Sequence, residues 1–209
     1  MVNKILIGLV LIISQLNAVI NLNDSRIDKQ ALFARAIDQG NIDLVKKLIK
    51  AGVNVNHKLY LSMAIYKQNI DLVKLLLNAG ANANKIDEEN GWTAPLTSAV
   101  NTDNIEIIEL LINSGSDINL KDWYGRCIFH ARSVQTLDLL ISFGADINIT
   151  DDYGRTAIYY AIQNNNLEVA KILIANGAKI NNGLVNIDDL LKTACERGNL
   201  EAIEFLQSL

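Results

Sequence analysis

Asn69-Ile70-Asp71-Leu72-Val73-Lys74-Leu75-Leu76-Leu77-Asn78-Ala79-Gly80 is the stretch from which the rest of the chain can be read. It opens with Asn, an aliphatic residue, an acid and two more apolar residues. After one spacer comes an aliphatic triplet, and a glycine closes it eleven positions after the Asn. The opening returns as Asn41-Ile42-Asp43-Leu44-Val45, Asn104-Ile105-Glu106-Ile107-Ile108, Asn166-Leu167-Glu168-Val169-Ala170 and Asn199-Leu200-Glu201-Ala202-Ile203. Gly52, Gly115 and Gly177 stand at the same distance from their own Asn. Self-similarity at a period near ~33 residues marks a stack of repeats, each unit burying its apolar face against the next.

Each unit divides into two helical stretches and a turn. The Asn is placed to cap the second helix by accepting a free backbone N–H. The acid two positions on lies in the first turn, where it favours the helix dipole. Gly52, Gly80, Gly115, Gly144 and Gly177 follow apolar helix ends, as left-handed C-terminal caps do. Upstream of each Asn, an apolar residue precedes an alanine by three: Phe33/Ala36, Leu61/Ala64, Leu96/Ala99, Ile158/Ala161 and Leu191/Ala194. That spacing puts both on one helical face. Alternating tails follow the glycines, such as Val53-Asn54-Val55-Asn56 and Ala145-Asp146-Ile147-Asn148. They lead into turns such as Lys121-Asp122-Trp123-Tyr124-Gly125 and Asp151-Asp152-Tyr153-Gly154.

With these residues in view the chain resembles the ankyrin repeat family. The resemblance rests on an Asp-x-x-Gly-x-Thr turn, a Thr-Pro-Leu-His-x-Ala helix start and a Gly-Ala-Asp-x-Asn close. Asp151 to Asn181 carries it best, with support from Cys127-Ile128-Phe129-His130 and Gly144-Ala145-Asp146-Ile147-Asn148. It implies an all-α solenoid of about six helix-turn-helix units with short hairpin-like fingers. The repeat domain runs over 24–209, with units at about 25–56, 57–84, 85–119, 120–148, 149–181 and 182–209. Successive closing glycines are 28, 35, 29 and 33 residues apart, so the units are not uniform. The second lacks the Asp-x-x-Gly turn, which predicts a short finger, and the third is lengthened around Asp87 to Trp92. In the fourth, only Ala131, Arg132 and Ser133 separate His130 from Val134. Arg132 then falls at or near the place of the packed alanine, which predicts a kink or loosening of the stack. Polar residues at both ends, Asp24 to Gln30 and Lys192 to Gln207, fit capping units and a complete array.

Residues 1–20 differ from the rest. Lys4 is the only charge before Asp24, Ile5 to Ile13 is apolar apart from Gly8, and Ala18 follows a polar patch. That order reads as a signal peptide cut after Ala18, hence export to the periplasm or beyond the cell. The alternative is an uncleaved anchor, although its second half is polar for a ~20-residue span. The net charge of −4 and the pI of about 5.2 come with no basic stripe, which argues against nucleic acid as a partner. Cys127 and Cys195 fall two units apart, with helices ~8–10 Å apart per layer, too far for a disulfide. Both are expected to pack as small apolar residues.

Catalysis needs a converging nucleophile, base or metal set. The chain has two histidines, His57 and His130, no Cys-x-x-Cys and no His-x-x-x-His, so no cofactor, metal site or catalytic residue is expected. Asp151-Asp152 reads as a solvated turn. An enzyme of unrecognised class would need a cleft with a perturbed acid or base. What remains is surface, and the resemblance implies a monomer that binds a protein partner through finger tips and first-helix ends. The positions it marks are Tyr66, Trp92, Trp123, Tyr124, Arg126, Asp152, Tyr153 and Arg155. Other first-helix ends on the same side include Asp38, Lys67, Asn101, Thr102, Gln163 and Asn164. Aromatic residues and arginine dominate binding hot spots. A membrane contact enters only if residues 1–20 stay attached, in which case the chain becomes an anchored scaffold.

Overall fold

The computed structural model describes residues 28–57, 60–86, 93–122 and 125–209. Trp92, Trp123 and Tyr124 lie outside the described residues, as do residues 1–27 and the side chain of Arg126. Paired helices run along the described chain: α1 Lys29–Asp38 with α2 Ile42–Lys50, α3 Tyr60–Tyr66 with α4 Ile70–Asn78, and α5 Pro95–Thr102 with α6 Ile105–Asn113. A two-residue hairpin, β1 Lys121–Asp122 and β2 Gly125–Arg126, leads into a 3-10 turn at Cys127–His130 and α7 Val134–Ser142. Then come α8 Ala157–Gln163 with α9 Leu167–Ala175, and α10 Ile187–Glu196 with α11 Leu200–Gln207. First helices pack on first helices and second helices on second, giving an all-α repeat solenoid.

The repeated phrase builds what its chemistry dictates. The Oδ1 atoms of Asn41, Asn69, Asn104, Asn166 and Asn199 each accept the backbone N–H three residues on, at 3.0–3.2 Å. The closing glycines of α2, α4, α6, α7 and α9 all have φ between 81° and 89°. Open space surrounds each of them, so it is the backbone angle that selects glycine there. The core runs the length of the stack. Phe33, Leu48, Tyr60, Leu76, Leu111, Leu140, Leu173 and Leu206 are all buried, each touching its own unit or the next.

The alternating tails turn out to be a ladder between units. The Nδ2 of Asn56 donates to the Gly80 carbonyl at 2.9 Å, while its Oδ1 accepts the Asn82 N–H at 2.7 Å. Asn84 does the same to Gly115 and Asp117, Asn119 to Gly144 and Asp146, and Asn148 to Gly177 and Lys179. One side chain satisfies a donor and an acceptor that helix termination leaves open.

The fourth unit departs from its expectation. The 3-10 turn packs on both α5 and α8, so the first-helix row passes through without a break. Ile128 and Phe129 are buried, and Ala131, not Arg132, is the residue packed against the core; Arg132 is exposed. Ser133 replaces asparagine as the cap of α7, accepting the Thr136 N–H at 3.1 Å. Asp103 of the preceding unit takes the Ser133 and Thr136 hydroxyls at 2.7 and 2.5 Å. These bonds stand in for the missing helical turn. Cys195 also corrects the reading from sequence: it is exposed, not packed.

Candidate functional site

The fifth finger is the best-defined part of the surface that the sequence marked. Asp151 organises it. Its Oδ1 accepts the N–H groups of Tyr153 and Arg155 at 2.8 and 2.9 Å, closing the turn. Its Oδ2 accepts from Arg155 Nε at 2.7 Å and from the Tyr160 hydroxyl at 2.8 Å. The Asp151 side chain is only 9% exposed, so this half of the acidic pair is not the solvated turn read from sequence. Burial pushes its carboxyl up. The hydrogen bonds from the Arg155 and Tyr153 backbone, the Tyr160 hydroxyl and the guanidinium outweigh that, and hold it below the usual value. Burial, reinforced by the bond to Asp151, carries Tyr160 to about 12.

Aromatic rings frame the guanidinium. Its carbon lies 4.6 Å from the Tyr153 ring centre, 5.3 Å from that of Tyr160 and 5.5 Å from that of Tyr159. Tyr160 stacks on Phe129 of the preceding unit at 5.1 Å and 21°. Arg155, marked from the sequence as a partner-binding position, is thus also part of the packing of its own finger.

Two neighbouring fingers hold this one in place. Lys121 of the fourth finger pairs with Asp152. On the other side Asn182 donates to the Gly154 carbonyl at 2.7 Å. Gly154 has φ +76°, and a Cβ there would sit 2.4 Å from Leu184 Cβ, so both angle and space require glycine. Around this fixed base Tyr153 is 75% exposed and Leu184 74% exposed. Large apolar side chains held open on rigid turns are binding candidates. Leu184 was not marked by the sequence reading; its only local signal is an apolar residue following Gly183.

Tyr66 stands elsewhere, at the end of α3 in the second unit, 59% exposed. Beside it Lys67 reaches back to Asp38 at 2.8 Å, so this ion pair ties the first two units. Asn101, Thr102 and Gln163 are half-buried and Asn164 is exposed. The structure thus gathers Asp152, Tyr153 and Arg155 on one finger and leaves Tyr66 three units away. Among the described residues no group of three or more His, Cys, Asp or Glu could hold a metal, and no helix is long and apolar enough to cross a membrane.

The model for ankyrin repeats (3 copies) matches residues 33–122 and 126–208, most of the chain. No curated protein matches.

Proposed function

The chain belongs to the ankyrin repeat family, and on that premise we propose that it acts by stoichiometric binding of a protein partner through its fingers. Ankyrin repeats are in general protein–protein interaction modules, and the family's fold is non-catalytic. The observation that carries the reading here is the fifth finger. Tyr153 is exposed on a turn held by hydrogen bonds of Asp151, Arg155 and Asn182. A rigid turn presents its aromatic residue with little conformational entropy left to lose on binding. Trp123 and Tyr124 of the adjacent finger, with Arg126, and Trp92 of the third, extend the proposed surface on residue type alone. An ordinary interface of ~800 Å² per partner spans three or four fingers.

Export belongs to the same reading and rests on the order of charge, apolar run and small residue over 1–20. Affinity capture with the purified array, followed by identification of what is retained, tests the binding. A partner that the array retains and that competes with soluble array supports the proposal. Failure to retain any protein specifically sinks it.

A further inference from the structure

The net charge of −4 conceals an uneven distribution along the stack. The first two units, 25–84, hold nine Lys or Arg against four Asp. The other four, 85–209, hold nine against eighteen Asp or Glu. The solvent-facing side of the second helices shows the same division. Five residues after each helix cap stands one exposed position, which reads Lys46, Lys74, Glu109, Asp138, Lys171 and Glu204 in α2, α4, α6, α7, α9 and α11. Charge asymmetry of this size between the two ends of a chain points to a charged surface as partner, an anionic one for the basic end.

The basic charge is densest on α2. Lys46, Lys47 and Lys50 are all exposed there, within one turn of one another, and Asp43 is the one acid on the helix. By contrast α6 and α7 carry Glu106, Glu109 and Asp138 and no Lys or Arg. Lys74, on the helix between, is taken by Glu106 at 2.8 Å. The order of the chain says which anionic surface α2 meets. From Ile5 to Asn23 the sequence carries no charge, and that stretch joins the array at its basic end. A basic face next to an apolar segment suits anionic lipid, whose headgroups attract each Lys or Arg held near them.

We propose that the first unit rests on an anionic phospholipid surface through Lys46, Lys47 and Lys50. The acidic units are repelled by the same surface and held away from it. Stable attachment takes two signals, and a basic face is the kind that complements a single apolar one. The attraction itself is electrostatic and needs no insertion of residues 1–20. The finger reading uses none of these lysines, so either proposal stands or falls without the other.

Flotation of the full chain with vesicles tests this. Vesicles of phosphatidylcholine alone read the apolar N-terminal segment, and vesicles mixing it equally with phosphatidylglycerol add the charge. The full chain should favour the mixed vesicles about tenfold or more at low salt. That excess should vanish at about 1 M salt, where the screening length is about 3 Å. Combined Lys46→Glu, Lys47→Glu and Lys50→Glu should abolish the excess and leave binding to phosphatidylcholine unchanged. Combined Lys47→Gln and Lys50→Gln, which introduces no new acid into α2, should reduce it. Lys171→Glu, in the acidic half, should not move it, and helical circular dichroism confirms that each variant is folded. Equal partitioning into both kinds of vesicle overturns the proposal. So does an excess that survives both sets of lysine substitutions. Binding to duplex DNA as tight as to the mixed vesicles would make the face a nucleic-acid surface and overturn it too.

Discussion

The Tyr160 hydroxyl donates to Asp151 Oδ2 at 2.8 Å, linking the second turn of finger five to the helix it introduces. The same oxygen holds Arg155 at 2.7 Å, so the two groups share one carboxylate. Asp151→Ala leaves the guanidinium and the phenol without their acceptor, and charge-assisted bonds of this kind contribute roughly 1.5–3 kcal/mol. Urea unfolding should register a loss of that order. A change within the scatter of an ordinary surface substitution would contradict the network.

Acid titration gives an independent reading of the same carboxylate. Its folded pKa is depressed, so its stabilisation is complete above the unfolded value of about 3.9 and is lost as pH falls through the folded one. Asp151→Asn should therefore flatten part of the fall in melting temperature below about pH 4. Parallel pH profiles for the two proteins would count against the assignment. The sign reverses for Tyr160, whose folded value near 12 means that its contribution is present below about 10 and lost as pH rises through 12.

Leu76 is fully buried in α4. Leu76→Ala opens a cavity and should cost ~2–5 kcal/mol. Neighbouring units are coupled, so faster hydrogen exchange should extend into α2 and α6. Exchange that changes only within residues 60–80 would show that the units behave separately.

Asn84 bridges the Gly115 carbonyl and the Asp117 N–H of the next unit at 2.9 and 2.7 Å. Asn84→Ala should cost about 1–2 kcal/mol, while Asn84→Asp keeps the acceptor and loses the donor, and should fall between. Equal stability in all three proteins would remove the ladder from the account.

The helix caps and closing glycines were legible because their partners lie within a few residues, where spacing encodes geometry. Asn69 and Gly80 needed nothing else. The ladder was not legible: Asn84 answers to Gly115, and no local pattern announces a bond between units. The contacts of Arg155 were hidden for a similar reason. Residue type marked it as a binding anchor, while its partners Asp151, Tyr159 and Tyr160 become neighbours only once the finger folds back on its helix. Cys195 sits at a core position of the repeat, and only the absence of a neighbour on the described structure makes it exposed. Trp92, Trp123 and Tyr124 stay as the sequence left them.

The N-terminal segment can be weighed by mass. The natively produced chain should begin near Val19 if the segment is removed on export. An intact Met1 that fractionates with membranes would favour the anchor.

Tyr153, 75% exposed with the Arg155 guanidinium against its ring, is the residue on which to test the proposed binding by the fifth finger. Affinity for the captured partner and melting temperature should be measured together for Tyr153→Ala, Arg155→Ala and the exposed control Lys46→Ala. Tyr153→Ala should weaken binding by ~2 kcal/mol or more with little change in melting temperature. Arg155→Ala should lower the melting temperature, and Lys46→Ala should do neither. Unchanged affinity in Tyr153→Ala, with the melting temperature lowered by several degrees, would make the ring a packing residue and contradict the finger as the binding surface.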